Sequence, residues 1–346
     1  MSLVRLLARR EVPLPRRVPR RVRLDLAELV LAARLAGDVP LPFTLPSTLP
    51  EDDADLDGDR PAERVTERMA ERMAERLAGR PDAEVGAEHV RRLHAELERV
   101  DDDGDRGAAA GLAERGLVID GVLEPGLAGA LQVLAGGPLS LRLDVSVRRR
   151  AGDSRVRSWF GVAPGLVAQL STGTGLDLEV AWFDPQLWVS QLERAARVQP
   201  WVPQAAAMEV PAYADLPSEL LVGAQKACRE QRTDLLAGLA RSHRGRVRLG
   251  RPGEVAEADD DQATALLHTL GQECRGRLRL QALRRDRLPE ARPAVLSWLL
   301  LDDGWHELRP GRHATTVLRR REPRDLGVLT APLVQPFVTE PEGDGS

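Results

Sequence analysis

The chain has 346 residues, with 49 Lys+Arg against 53 Asp+Glu, and a formal net charge of −4. That length suits two domains or one two-lobed body with a sizeable core, and a net negative chain offers no global field for nucleic acid. No run approaches the ~18 unbroken apolar residues of a membrane span, and the start MSLVRLLARREVPLP lacks a small-residue cleavage site, so a cytoplasmic location is expected.

Residues 1–23 carry eight Arg and read as a basic flexible tail. A helix follows over Leu24–Ala36, with Asp25 as N-cap, Leu26, Leu29, Val30 and Ala33 on one face, and Gly37 at its end. The proline-rich stretch 38–50 suits an edge strand or an extended loop. EDDADLDGD (51–59) is an acidic linker whose spacing does not fit a calcium loop. Two charged helices follow, one striped by Val65, Met69, Met73 and Leu77, the other by Val90, Leu93, Leu97 and Val100. The whole stretch 51–105 reads as an insert within a first half spanning 24–200. After a second acidic break at Asp101–Asp105, a third short helix leads into AERGLVIDG.

The most informative feature is an internal repeat. Ser158-Trp159 matches Ser297-Trp298, Gly165 matches Gly304, Leu141-Arg142-Leu143 matches Leu278-Arg279-Leu280, and Asp184-Pro185 parallels Glu322-Pro323. The spacing stays between 137 and 139 residues, which single weak matches would not sustain by chance. Each unit reads as a helix, about four strands and a helix. In the first, Leu139, Leu141, Leu143, Val145 and Val147 alternate with Ser140, Arg142, Asp144, Ser146 and Arg148, the pattern of a strand with one wet face. Further strands are expected at 156–162, 166–170 and 176–182, joined by short connections such as Thr172-Gly173-Thr174-Gly175. Asp184 then caps a helix with Pro185 in its first turn.

Residues 201–217 read as a linker. A helix over 218–241, capped by Ser218 and apolar at Leu220, Leu221, Ala224, Cys228 and Leu235, opens the second half, which spans 218–336. Residues 242–261 read as a polar loop. Strands are expected near 277–284, 293–301, 304–309 and 312–319, then a helix after Glu322-Pro323 and an acidic tail at 337–346. The fold class is α+β: a quasi-twofold internal repeat of antiparallel β-meander sheets with flanking helical bundles, whose two sheets can join.

Catalytic patterns are missing from the sequence. There is no phosphate-binding G-x-x-x-x-G-K-[ST] and no G-x-S-x-G. His89 and His94 lack zinc spacing. His306 and His313 flank a turn and read as surface histidines, and Asp302-Asp303-Gly304 reads as a turn rather than a catalytic acid pair. Cys228 reads as a small buried hydrophobe. Trp159 and Trp298, at equivalent strand positions, suggest a core or interface role. The expectation is a non-enzymatic protein with no catalytic residues, cofactor or metal, and no nucleic-acid or membrane partner.

The pattern resembles the ESX (type VII) secretion-associated EspG family of actinobacterial chaperones. The resemblance rests on Leu35-Ala36-Gly37-Asp38-Val39-Pro40, on Ala113-Glu114-Arg115-Gly116-Leu117-Val118 followed by Leu123–Leu134, and on the twin meander ending in Gly304-Trp305 and Gly311-Arg312. It covers roughly residues 24–50 and 107–335 and departs from the family at 51–105 and at both tails. Lys226 as the sole lysine fits a GC-rich actinobacterial genome. The resemblance implies a central antiparallel sheet with two helical bundles. It also implies a cytosolic chaperone or adaptor that binds a secreted PE–PPE-like helical client and keeps it soluble. A protein-interaction scaffold with an unrelated partner is the alternative. The family's client-contacting loop falls at Arg148–Ser154, which makes Arg148, Arg150, Arg155 and Arg157 the expected partner-binding residues, with Ser218 and Leu221 added from the start of the second-half helix.

Overall fold

The computed structural model describes residues 18–43, 102–149, 152–172, 177–197, 210–272, 274–285 and 294–338. The acidic linker 51–59, the two charged helices, His89, His94 and Arg150 lie outside the described residues.

Asp25 starts the first helix as expected. Its carboxylate accepts from Glu28 N at 2.8 Å while Glu28 Oε2 accepts from Asp25 N at 3.0 Å, a reciprocal cap for α1 (Leu26–Leu35). Before it stands a strand, β1 (Arg20–Leu24), at the end of the stretch read as tail. α2 (Asp102–Glu114) takes in most of the second acidic break. The hairpin β2 (Val118–Ile119) and β3 (Val122–Leu123) turns on Asp120 and Gly121, both at positive φ. α3 (Pro125–Gly136) follows. The first meander is β4 (Leu139–Arg149), β5 (Gly152–Ala163), β6 (Leu166–Thr172) and β7 (Leu178–Phe183). Asp184 caps a short 3-10 turn, accepting from Gln186 N at 2.8 Å, and α4 (Trp188–Ala196) closes the half.

The second half has the same order. β8 (Tyr213–Pro217) occupies the end of the stretch read as linker. The helix expected over 218–241 is broken into α5 (Ser218–Arg229), a 3-10 turn at Thr233–Leu235 and α6 (Leu236–Ser242). The break falls at Gln231, where φ is +57° and Arg232 N turns back to Ala227 O at 2.8 Å, leaving Leu235 exposed. The polar loop contains a hairpin, β9 (Arg248–Arg251) and β10 (Glu254–Glu257). α7 (Asp260–Gln272) leads to β11 (Gly276–Arg284), β12 (Ala294–Leu301), β13 (Gly304–Pro310) and β14 (Thr315–Arg321), then α8 (Pro323–Val334). Among the described residues the duplication therefore runs through each half as β-α-α-ββ-α-ββββ-α.

Twelve strands form one sheet in the order β1-β7-β6-β5-β4-β11-β12-β13-β14-β8-β9-β10. The two meanders join antiparallel through β4 and β11, with Leu143 opposite Leu280. These two leucines are each other's counterparts in the repeat, so a pair that is its own symmetry image marks the pseudo-twofold axis. The halves differ at their outer ends. Hairpin β9–β10 extends the sheet through β8, whereas β2–β3 forms a separate two-stranded sheet.

The strand pairing corrects one sequence match. Leu143 faces Ser158 and Leu280 faces Leu296, so β5 and β12 correspond at a spacing of 138, not 139. A one-residue slip reverses the face of a strand side chain. Trp159 and Trp298 therefore lie on opposite faces: Trp159 packs with α1 and α3, and Trp298 with α4 and α8. The same slip places Gly165 opposite Asp303 in the repeat rather than Gly304.

One sheet face, carrying Leu141, Leu143, Phe160, Leu278, Leu280 and Trp298, is covered at its centre by α4 and α8. Trp188 Nε1 donates to Thr330 Oγ1 at 2.8 Å across these helices, and Trp305 Nε1 donates to the Ala196 carbonyl at 3.0 Å. Helices α1–α3 and α5–α7 form two separate apolar cores on the opposite face, against the outer strands of each half. Between them the middle of that face is left to the polar side chains of β4 and β11.

Candidate functional site

The alternation of β4 and β11 builds this strip. Leucines and valines at odd positions of β4 enter the core under α4 and α8, so Arg142, Asp144 and Ser146 must point the other way. In β11, Leu278 and Leu280 enter the same core, which turns Arg277, Arg279 and Gln281 onto the strip. Register aligns them in rows. Asp144 lies between Arg157 of β5 and Arg279 of β11, and Ser146 between Arg155 and Arg277.

Asp144 is the hub. Its Oδ1 lies 2.5 Å from Arg157 Nε and 3.4 Å from Arg155 Nη2, and its Oδ2 lies 3.4 Å from Arg142 Nε. These four side chains are between 15% and 22% exposed, so the cluster is recessed yet reachable. Burial pushes the Asp144 carboxyl upward, but the charges of Arg157, Arg142 and Arg155 and the Arg157 hydrogen bond outweigh it and hold it below the ordinary carboxylate range. The Arg157 guanidinium also sits 5.9 Å from the Trp159 ring centroid, and Trp159 meets Phe43 at 5.9 Å.

The expected partner-binding residues separate into three groups. Arg155 and Arg157 stand on the strip itself, in β5, and the expected loop Arg148–Ser154 is shortened because β4 and β5 run on to Arg149 and Gly152. Arg148 is exposed at the end of β4, where its N–H donates to the Arg275 carbonyl at 2.7 Å. Ser218 and Leu221 are core residues. Ser218, 2% exposed, is the first residue of α5 rather than its cap, and its hydroxyl meets Thr316 Oγ1 at 2.9 Å. Leu221, 1% exposed, packs into the α5–α7 core. Neither is carried into the interface. Asp144, Arg142 and Arg279 were missed as site residues, although the alternating wet face of β4 and the repeated Leu-Arg-Leu were their signal.

Among the described residues, the other candidates occupy the following positions. His306 is fully buried, not a surface residue, with Nε2 2.9 Å from Asp303 Oδ1. It faces Arg320 across the β13–β14 pair and does not meet His313, which lies in the turn at φ +55°. Asp302 and Asp303 form the β12–β13 turn, and Asp302 pairs with Arg275 at 3.0 Å. Cys228 is buried, and that burial raises its thiol pKa. Among the described residues no group of three or more His, Cys, Asp or Glu is placed to hold a metal ion, and no helix is long and apolar enough to cross a membrane.

Comparison with known proteins adds a relation of fold. No protein-family model matches the chain, and no curated protein matches it in sequence. Among solved structures, the fold is similar to the type VII secretion system chaperone EspG5 of Mycobacterium tuberculosis, solved in complex with the PE25–PPE41 dimer. The match has a TM-score of 0.50 and 14% sequence identity, and covers 93% of this chain and 98% of that one. The chain thus has an EspG-like α+β fold over nearly its whole length.

Proposed function

We propose that this protein is a non-enzymatic chaperone or adaptor of type VII secretion, acting in the cytoplasm on a secreted, PE–PPE-like helical client. The observation that carries the reading is the near end-to-end match of fold to EspG5, a chaperone solved with a PE–PPE dimer. The chemistry agrees with it. A client with an exposed apolar tip aggregates unless the tip is covered, and covering it requires a shaped surface with a polar rim. The apolar centre of such a contact is not the charged strip, which in this reading supplies part of the polar rim through Arg148, Arg155 and Arg157.

The test is co-production of the chain with a PE–PPE-type heterodimer from its own organism. The client pair is expected to be soluble only in the presence of the chain and to co-elute with it in gel filtration. Equal solubility of the pair alone, with no co-elution, refutes the reading. Within a complex, Arg148→Glu is the cleanest rim variant, since Arg148 is exposed, whereas reversal of Arg157 places a carboxylate beside Asp144. It is expected to weaken client retention with the melting temperature unchanged. Unchanged retention removes Arg148 from the interface.

A further inference from the structure

We propose that the protein forms a back-to-back homodimer through the outer face of α8, the helix that crosses α4 on the pseudo-twofold axis. The inference is independent of the chaperone reading. It is carried by a contrast between two helices that the repeat makes equivalent. α4 and α8 follow the paired starts Asp184-Pro185 and Glu322-Pro323, 138 residues apart. Val189 and Gly327 are counterparts at the same spacing and meet where the helices cross. The two helices therefore hold equivalent places in the fold, and their outward positions correspond one by one.

The outward positions of α4 are polar. Ser190, Arg194 and Arg197 are exposed, and Glu193 pairs with Arg197 at 2.6 Å. The equivalents of Ser190, Glu193, Arg194 and Arg197 on α8 are Val328, Ala331, Pro332 and Gln335. From Leu326 to Val338 the chain carries no charged residue. Val328 is 50% exposed, with Pro332 and Gln335 exposed beside it. A single exposed valine is ordinary. A helix that is apolar on its outer side as well as its core side is one that is normally covered on both. Its twin shows that charge is tolerated at the same positions when they face water.

A second copy of the chain fits this face. Val328, Ala331, Pro332 and Gln335 fall at i, i+3, i+4 and i+7, a stripe symmetric about its own middle. Antiparallel pairing of two such stripes about a twofold axis sets Ala331 against Pro332, and Val328 against Gln335 of the second copy. Pro332 has no N–H, so the Val328 carbonyl lacks its usual intrahelical donor, and the exposed Gln335 amide of the second copy is placed to donate to it. One turn further out, exposed Arg324 comes against the C-terminal end of the other α8. There the helix dipole is negative, and the sequence continues into Glu340, Glu342 and Asp344. Charge is thus complementary where the apolar stripe ends.

The size of the face sets the strength. Two helices side by side, the longer of 12 residues, offer a footprint of about 18 Å by 20 Å. That is below the ~800 Å² that each partner buries in a standard interface, so the dimer is reversible rather than obligate. α4 and α8 lie on the sheet face opposite the arginine strip, so the contact leaves both strips on the outside of the dimer.

The test is sedimentation velocity of the full chain from about 5 to about 200 µM, a range suited to weak interfaces. The weight-average mass is expected to rise toward that of two copies and to stop there, because an isologous contact closes at two. Val328→Ser/Ala331→Glu/Pro332→Arg gives α8 the outward residues of α4. It is expected to raise the dissociation constant at least tenfold with the melting temperature not lowered. Arg232→Gln, on an exposed pair with Asp234 in the second-half bundle, leaves association unchanged. A monomer at every concentration, growth past two copies, or association undiminished in the triple variant overturns the proposal, as does equal weakening by Arg232→Gln. If the triple variant does not fold, Arg324→Glu decides. It sets an acid against the acidic end of the second copy and is expected to weaken association threefold or more at low salt, and unchanged or tighter association refutes the contact.

Discussion

Gly327 marks the closest approach of α8 to α4, and replacing it by alanine separates two opposing effects. A Cβ there would lie 2.5 Å from Val189 Cα, 2.8 Å from its carbonyl oxygen and 3.1 Å from its carbonyl carbon. Ordinary contact between carbons begins near 3.5 Å, and all three neighbours are backbone, so no side-chain rotation relieves the clash. The helices must part by about 1 Å, which loosens Trp188, Leu192 and Leu326, all at most 2% exposed. Overpacking of this kind costs about 1–3 kcal/mol, and disturbing the Trp188–Thr330 hydrogen bond costs about 1 kcal/mol more. Better helix propensity returns about 1 kcal/mol. Gly327→Ala is therefore expected to lose about 1–3 kcal/mol. Gly238, in α6, has nothing within 4 Å of its would-be Cβ, so Gly238→Ala keeps only the propensity gain of about 0.5–1 kcal/mol. Urea unfolding followed by tryptophan fluorescence compares the midpoints of the two variants. Gly327→Ala as stable as the parent would refute the helix crossing, and destabilisation by Gly238→Ala would refute the propensity argument.

Three further outcomes follow from the same packing and charges. Leu143→Ala and Leu280→Ala, at the axis, are each expected to cost about 2–5 kcal/mol, and the double variant less than their sum because the two share one cavity; strict additivity in urea melts counts against their contact. The Asp144 carboxyl is held low in the folded state, so its stabilising contribution is complete above its unfolded value and is lost as pH falls through the depressed folded one. Asp144→Asn should accordingly flatten the loss of stability on acidification below about pH 4, and an unchanged acid limb would show that the ionised carboxylate contributes nothing. Asp25→Ala breaks the reciprocal cap and should cost about 1 kcal/mol, with faster amide exchange in the first turn of α1 as the direct readout.

The main elements were legible because their signals are local. The odd-position leucines and valines of β4, the Asp25 cap and the Asp184-Pro185 and Glu322-Pro323 helix starts need no partner to be recognised. The repeat was legible too, since duplication leaves a constant spacing even at low identity. Elements whose stability comes from a distant partner were not. β1, as Arg-Arg-Val-Arg-Leu, reads as a charged run until it pairs with β7, and β8 reads as linker until it lies between β14 and β9.

Sequence alone determined that each half is a meander with one wet face, because side-chain alternation is set by the backbone of a single strand. Tertiary structure decided which strands meet. Pairing of β4 with β11 joins the two meanders into one sheet, and only then do Arg142, Asp144, Arg157 and Arg279 become neighbours. The registers of β5 on β4 and of β12 on β11 set the two tryptophans on opposite faces, since a one-residue difference in register, invisible within either strand, reverses every side chain. Packing of the second-half helices withdrew Ser218 and Leu221 into the core, and the arginine strip lies where the apolar faces of the helical bundles end.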